Sequence, residues 1–141
     1  MSKRKVFVSF DFENDRCYKY LLQGWDANPS FEFSFNDLSS QEINTNDVGR
    51  VKAQLTSRIK QATYTLVIIG KESNKKHKDS AQIGYKNWQN FEIAMSKNNG
   101  NKIIAIKIDS TYESPDEIYG CNAKWALSFT QTSILNALDK A

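Results

Sequence analysis

The chain has 141 residues, a net charge of +3 at pH 7, and 40% apolar, 12% aromatic and 25% charged side chains. This length fits one domain with one hydrophobic core, and the aromatic content argues against a disordered chain. No stretch approaches the ~20 apolar residues of a membrane-spanning helix, and the basic start runs into a short apolar segment instead of a signal-peptide core. We therefore expect a cytoplasmic protein whose single domain covers residues 1–141.

The N-terminal part of the sequence predicts two strands separated by a helix. The apolar run at residues 6–10 is short and rich in β-branched and aromatic side chains, so it predicts a buried strand. A helix is expected to begin after a capping residue at Asn14 or Asp15 and to end before Pro29. Residues 31–35 alternate phenylalanine with polar side chains, which predicts a half-buried second strand.

The middle of the sequence predicts two helices around a central strand. A polar loop at residues 36–47 leads to a helix over 48–62, where apolar residues recur every three or four positions. The continuous apolar run at residues 64–69 is typical of a central parallel strand. A second polar loop, residues 71–86, precedes a helix over about 87–97 that an Asn-Asn-Gly sequence ends.

The C-terminal part completes an alternating pattern. A fourth strand is expected at residues 102–108, a turn or helix start at 114–116, a short strand within 125–129, and a closing helix at 132–140. Because each crossover is long enough for a right-handed βαβ connection, the sequence predicts a doubly wound parallel sheet.

Ligands of such sheets bind outside the carboxyl ends of the strands. The loops after Phe10, Phe35 and Ile69 are therefore expected to lie close together. The sequence contains no GxGxxG, GxxxxGK[ST], HExxH or GxSxG motif, which argues against dehydrogenase, P-loop, zinc-protease and serine-hydrolase chemistry.

The cysteines and the cationic residues predict no specialised site. Cys17 and Cys121 lie far apart without metal-ligand spacing, so we expect free thiols and no metal. Residues 71–78 contain four lysines and the single histidine, His77. A solvated loop has this composition as often as a phosphate-binding loop does, so we expect no nucleic-acid partner.

Glu92 is the leading candidate for a functional carboxylate. It lies four residues after Trp88 on a helix that is apolar on most sides. A carboxylate in that setting must be desolvated, paired, or placed at the rim of a pocket, and a pocket rim is where a functional carboxylate belongs. The structural alternative is a glutamate bonded to a nearby lysine or backbone amide.

Asp11 and Asp37 are the next candidates, because each follows a predicted strand at the edge where ligands bind. For Asp11 the alternative is to cap the following helix. For Asp37 the alternative is an Asx turn in a polar loop.

Several blocks of the sequence resemble the TIR-like proteins of bacterial antiphage defence, the Thoeris TIR subunit and its relatives. Residues 5–10 are similar to the opening strand of TIR domains, and residues 65–70 resemble their third strand. Trp88 and Glu92 match the W-x-x-x-E motif, and residues 101–106 stand in the position of the next strand. The order and spacing of these blocks are more specific than the motif alone. The resemblance implies a flavodoxin-like, TIR-like fold.

The resemblance also implies an activity, which is cleavage of the nicotinamide–ribose bond of NAD by Glu92 and conversion of the ADP-ribose fragment into a cyclic or otherwise modified signal. Ser9, Phe10 and Asp11 would contact the substrate, and Trp88 would mainly pack the helix that carries Glu92. NAD is the substrate, and no further cofactor or metal is implied. The implied partners are other copies of the chain and a separate effector that responds to the nucleotide product, with no membrane involved.

Two other functions remain open. Many TIR domains are not enzymes, so the main alternative is an interaction module or a sensor that binds a nucleotide without cleaving it. A phosphorylated receiver is disfavoured, because Gly70 and Lys71 stand where a receiver needs an aspartate. An enzyme is expected to place Glu92 in a cleft with Phe10 and Asp11, whereas an adaptor could bury it against a lysine.

Two segments depart from the family pattern. Residues 36–40 lack the arginine-, aspartate- and glycine-rich pattern of many animal and plant TIR loops. The loop at residues 71–86 is longer than in compact TIR domains, and it could cover the pocket or mediate assembly.

Overall fold

The structure is a computed structural model that describes residues 4–28, 32–36 and 47–141. The five strands are β1 (Arg4–Ser9), β2 (Phe33–Asn36), β3 (Tyr64–Ile69), β4 (Lys102–Lys107) and β5 (Lys124–Ala126). The helices are α1 (Phe12–Asp26), α2 (Val48–Gln61), the single turn α3 (Ser80–Ile83), α4 (Trp88–Asn99) and α5 (Gln131–Lys140), with a 3₁₀ turn at Asp116–Ile118. The predicted order of the strands and of the four longer helices is therefore confirmed within these residues, whereas α3 was not predicted.

All five strands are parallel and lie in the order β2-β1-β3-β4-β5. This is the flavodoxin-like, doubly wound α/β arrangement, so the predicted fold class is confirmed. The chain runs outward from β1 to β2, then crosses back to β3 and continues in the other direction. The point where the direction reverses lies between β1 and β3, where Ser9 pairs with Val67.

Helices cover both faces of the sheet. Val6 and Val8 pack with residues of α1 and α5 on one face, whereas Phe7 packs with residues of α2 and α4 on the other. Successive side chains of a strand point to opposite faces. Ser9 therefore continues the face toward α4, and Phe10 continues the face toward α1 and α5.

The helix α1 begins earlier than the sequence analysis expected. The predicted caps, Asn14 and Asp15, lie inside the helix, which starts at Phe12. The backbone carbonyl of Asp11 accepts the first helical hydrogen bond, from the Asp15 N–H at 2.8 Å. The Asp11 carboxylate also accepts a bond from Asn14 Nδ2 at 2.6 Å. Asp11 thus occupies the capping position. The prediction placed the cap later because this stretch contains several polar residues that could each cap a helix.

The segment between β3 and α4 is more ordered than the predicted polar loop. It contains the turn α3, whose Ile83 is fully buried against α2 and α4. Asn87 donates from Nδ2 to the carbonyls of Ser73 and Lys75, at 2.8 and 2.9 Å. It also caps α4 by accepting a bond from the Asn90 backbone N–H at 2.9 Å. Buried side-chain hydrogen bonds therefore fix this loop beside the start of α4.

None of the helices in the described ranges is both long and apolar enough to cross a membrane. Most of the predicted loop at residues 36–47, including the candidate Asp37, lies outside the described residues. That this loop lies close to the loops after Phe10 and Ile69 therefore stays a prediction.

Candidate functional site

The Glu92 side chain lies on α4 and points toward the end of β1. It is only 2% exposed, and its Oε1 accepts a hydrogen bond from Ser9 Oγ at 2.7 Å. Burial raises the pKa of Glu92 from 4.5 to about 8, although the hydrogen bond from Ser9 acts in the opposite direction. Without a ligand the carboxyl is therefore mostly protonated at pH 7.

Gln89 fixes α4 against the same two strand ends. Its Nε2 donates to the backbone carbonyl of Ile68 at 3.0 Å and to that of Ser9 at 3.3 Å. These carbonyls lie near the carboxyl ends of β3 and β1, where the sheet ladder ends. Gln89 was not predicted as a site residue, although its place inside the W-x-x-x-E block was a usable signal.

Asp15 approaches the same point from α1, although it was predicted only as a possible cap of that helix and not as a site residue. Its side chain is 6% exposed, and its Oδ2 is buried with no hydrogen-bond partner in the described part of the chain. The pKa of Asp15 is raised from 3.8 to about 6, mainly because the carboxyl is buried and to a smaller extent because of the negative charge of Asp11. The available signal was helical spacing, since Asp15 and the buried Leu22 lie seven residues apart on one side of α1.

Gly70, directly after β3, makes room for Asp15. A Cβ atom at Gly70 would overlap the carboxyl oxygens of Asp15, so only glycine leaves space for this carboxyl in its present position. The Gly70 N–H donates to Ser73 Oγ at 2.8 Å, which holds the turn after β3. The end of β3 is thus approached by Gln89 from α4 and by Asp15 from α1.

The remaining predicted site residues lie in different settings. Phe10 is buried in the cluster that faces α1 and α5, on the face of the sheet opposite Glu92. Asp11 is partly exposed at the start of α1. Trp88 is partly buried, and its ring makes an edge-to-face contact with Phe91 at 5.7 Å between centroids. Asp37 lies outside the described residues.

The structure therefore brings Ser9 and Glu92 together and turns Phe10 away from them. Glu92 is buried, as the adaptor alternative expected, but its side-chain partner among the described residues is Ser9 rather than a lysine. Substrate contacts by Ser9, Phe10, Asp11, Asp37 and Trp88 stay predictions.

A surface groove of about 710 Å³ lies elsewhere, between α2 and α4. Neither Glu92 nor Ser9 lines it. Its lining residues are Lys52, Ala53, Thr56, Ser57, Lys60, Gln61, Tyr85, Phe91 and Met95. The groove is therefore separate from the acidic groups at the strand ends.

A five-stranded parallel sheet with a buried glutamate at its β1/β3 reversal point defines a flavodoxin-like α/β protein with a candidate site at the usual ligand-binding edge. Residues 7–113 match the family model described as Thoeris protein ThsB, TIR-like domain. The chain belongs to this family of Thoeris antiphage TIR-like proteins, which confirms the resemblance drawn from the sequence.

Two solved structures share the fold at low sequence identity. A 2-deoxyribosyltransferase from the psychrotolerant bacterium Bacillus psychrosaccharolyticus is 14% identical with a TM-score of 0.56, and the alignment covers 92% of this chain and 90% of that one. The CMP N-glycosidase BcmB from Clostridium botulinum is 16% identical with a TM-score of 0.53, covering 98% of this chain and 100% of that one. A comparison with curated proteins found no match.

Proposed function

We propose that this protein cleaves the nicotinamide–ribose bond of NAD, with Glu92 as the acidic group at the reacting ribose. The observation that carries the proposal is the position of Glu92, which is buried at the carboxyl end of β1 and bonded to Ser9 in a TIR-like domain. The names of the two fold relatives, a deoxyribosyltransferase and an N-glycosidase, are compatible with chemistry at a sugar–base bond.

The chemistry suits a single carboxylate. The bond between ribose C1′ and the nicotinamide nitrogen breaks, and its electron pair goes to the cationic ring, so nicotinamide leaves as a neutral molecule. The ribose acquires oxocarbenium-like positive charge, which a nearby carboxylate stabilises. Water, or a hydroxyl of the same substrate, then bonds to C1′ and loses its proton to the Glu92 carboxylate; an adenine nitrogen that bonds to C1′ likewise releases a proton, from its own amino group. Attack from within the substrate gives the cyclic or modified ADP-ribose signal, and a closed pocket favours that route over attack by water.

The raised pKa of Glu92 is compatible with a change from the protonated to the ionised form when substrate binds. The free protein holds this carboxyl mostly neutral at pH 7, because burial raises its pKa to about 8. A cationic nicotinamide ring beside Glu92 would favour the ionised form, since an opposite charge within ~4–6 Å lowers the pKa of an acid. Substrate binding would therefore generate the carboxylate that the reaction uses.

The other predicted residues have supporting roles in this proposal. Ser9 orients Glu92 through their hydrogen bond. Asp11, partly exposed at the start of α1, contacts the substrate. Asp37 and Trp88 complete the set of proposed contacts, whereas Phe10 packs in the core on the face of the sheet opposite Glu92. Self-association and a separate effector that responds to the product belong to the same proposal.

An interaction module, or a sensor that binds without cleaving, is the second candidate. One observation favours it, which is that Glu92 is almost fully buried and already bonded to Ser9 in the free protein. In that case Glu92 would be a structural acid that ties α4 to β1.

Nicotinamide release separates the two candidates. The purified protein is incubated with NAD, alone and with lysate from phage-infected cells, and nicotinamide is followed by chromatography. The test variant is Glu92→Gln, and the matched control is Glu32→Gln, an exposed glutamate just before β2 at the opposite edge of the sheet. The proposal predicts release by the wild type and the control, with loss in Glu92→Gln. Mass spectrometry of the remaining fragment would identify the signal.

No release by the wild type under either condition would favour the interaction or sensing module. Equal release by Glu92→Gln and the wild type would contradict the assigned role of Glu92.

A further inference from the structure

Asp15 is the buried acidic group that the proposed reaction does not use. Its Oδ2 is enclosed by protein and has no hydrogen-bond partner among the described residues. Buried polar atoms in native proteins are nearly always paired, and an unpaired buried carboxylate is destabilising. We therefore expect a hydrogen-bond donor from outside the isolated chain to pair with this carboxyl.

The location of Asp15 indicates what that partner is. The carboxyl lies against Gly70 at the end of β3, and Gly70 provides the space that it occupies. On the other side of the same strand end, Gln89 bonds the carbonyls of Ser9 and Ile68, and Ser9 bonds Glu92. Asp15 and Glu92 thus approach the β1/β3 reversal point from opposite faces of the sheet, and this edge is where doubly wound sheets bind ligands.

We propose that Asp15 is a ligand-binding residue of this site, and that its carboxyl group accepts a hydrogen bond from an N–H or O–H group of the bound nucleotide. The inference rests on the proposed function for the identity of the nucleotide, and it assigns a contact on the α1 side of the site. The donor is either the carboxamide N–H of nicotinamide or a hydroxyl of the ADP-ribose part. A donor seated there would remove the destabilisation of an unpaired buried carboxylate.

The ionisation of Asp15 is compatible with this role. With a pKa of about 6, the group is mostly ionised at pH 7, and an ionised carboxyl is an acceptor only. Hydrogen bonds to charged acceptors are stronger than neutral ones. Loss of such a bond typically weakens binding by roughly 10- to 100-fold.

The test measures binding without turnover. NAD and ADP-ribose are titrated by calorimetry into Glu92→Gln protein, and into the same protein carrying Asp15→Asn or Asp15→Ala. The control adds Asp139→Asn, an exposed aspartate near the end of α5. The expected result is binding of NAD at least ~10-fold weaker for the Asp15 variants, with an unchanged or higher unfolding midpoint, and no change for the control.

The two ligands distinguish the two possible donors. Weaker binding of NAD alone would assign the contact to the nicotinamide carboxamide, and weaker binding of both ligands would assign it to the ADP-ribose part. Unchanged affinity of both ligands in folded Asp15 variants would overturn the inference. Nucleotide binding that depends on Asp15, in a protein whose wild type releases no nicotinamide, would contradict the proposed NAD cleavage but support the ligand contact of Asp15. Failure of both ligands to bind the parent protein would contradict both.

A double-mutant cycle with Gly70→Ala tests the geometry separately. In the parent, the new methyl group has to displace the Asp15 carboxyl, so we expect a large loss of nucleotide affinity. In Asp15→Ala protein the methyl group has room, so Gly70→Ala should add little. Additive effects would contradict the close approach of these two residues.

Discussion

Replacement of Glu92 by glutamine should change how the stability of this protein depends on pH. The carboxyl is nearly fully buried, and its pKa rises from 4.5 to about 8 on folding because burial disfavours the charged form. The folded state therefore holds a proton that the unfolded state releases. Its stabilising effect is fully present below pH ~4.5 and is lost as the pH rises through about 8.

The magnitude follows from that difference. The rise from 4.5 to about 8, at ~1.4 kcal/mol for each pH unit, amounts to roughly 5 kcal/mol of unfolding free energy between pH 4 and pH 9. About two thirds of this loss should have occurred by pH 7. Glutamine keeps an oxygen that can accept from Ser9 Oγ but cannot ionise, so Glu92→Gln should lack this loss.

The assay is urea unfolding followed by tryptophan fluorescence at pH 5, 7 and 9. The quantity of interest is the unfolding free energy of Glu92→Gln minus that of the wild type, which should rise steadily with pH. The titration of Asp15 occurs in both proteins and cancels in this difference. For the matched control, Glu32→Gln, the difference should stay constant. A difference for Glu92→Gln that also stays constant, within ~1 kcal/mol, would refute the assigned burial of Glu92.

Two further predictions follow from the hydrogen bonds of the site and of the loop beside it. If ionised Glu92 drives the reaction, kcat/KM for NAD should rise with pH through about 8. Ser9→Ala should move this rise to higher pH, because it removes a hydrogen bond that lowers the Glu92 pKa. A kcat/KM that does not change with pH would contradict the role of the carboxylate. Asn90→Ala should lower the unfolding free energy by about 2–4 kcal/mol, because Asn90 forms hydrogen bonds with Asn74, Asn87 and the Glu117 N–H. Chemical denaturation measures this loss, and the control Asn136→Ala, at an exposed position, should show no comparable loss. An equally small effect of both substitutions would contradict the buried network.

The elements that were predicted best are those whose local pattern and burial agree. The run at residues 64–69 is apolar throughout because β3 is covered on both faces, and it was found with the correct bounds. The apolar stripe of α2 that faces the sheet could be read from its spacing, and the structure shows that Asp47 caps the start of this helix. The helix α4 was predicted over about 87–97 and runs from Trp88 to Asn99, so its bounds were found to within two residues, because Asn87 caps its start and Gly100 ends it.

The predictions that failed depended on contacts between distant segments. The start of α1 was placed too late, because Asp11, Asn14 and Asp15 are all chemically suitable caps and only packing selects among them. The turn α3 was missed, since Ile83 is its one fully buried residue and its apolar partners lie on α2 and α4.

The candidate site was only partly readable from the sequence. The importance of Glu92 could be inferred from its apolar helix, but its bond to Ser9 joins residues 83 positions apart. Strand alternation already implied that Ser9 and Phe10 point to opposite faces, so the sequence contained a reason to separate them. The approach of Asp15 to Gly70 involves two segments that only the folded sheet brings together.

The structure of Glu92→Gln protein with bound NAD tests the central claim most directly. The account predicts that the nicotinamide ribose lies at the carboxyl ends of β1 and β3, with its C1′ or hydroxyl groups within ~3–3.5 Å of the residue 92 side chain. NAD bound instead in the groove between α2 and α4, with the side chain at position 92 still buried against Ser9, would contradict it.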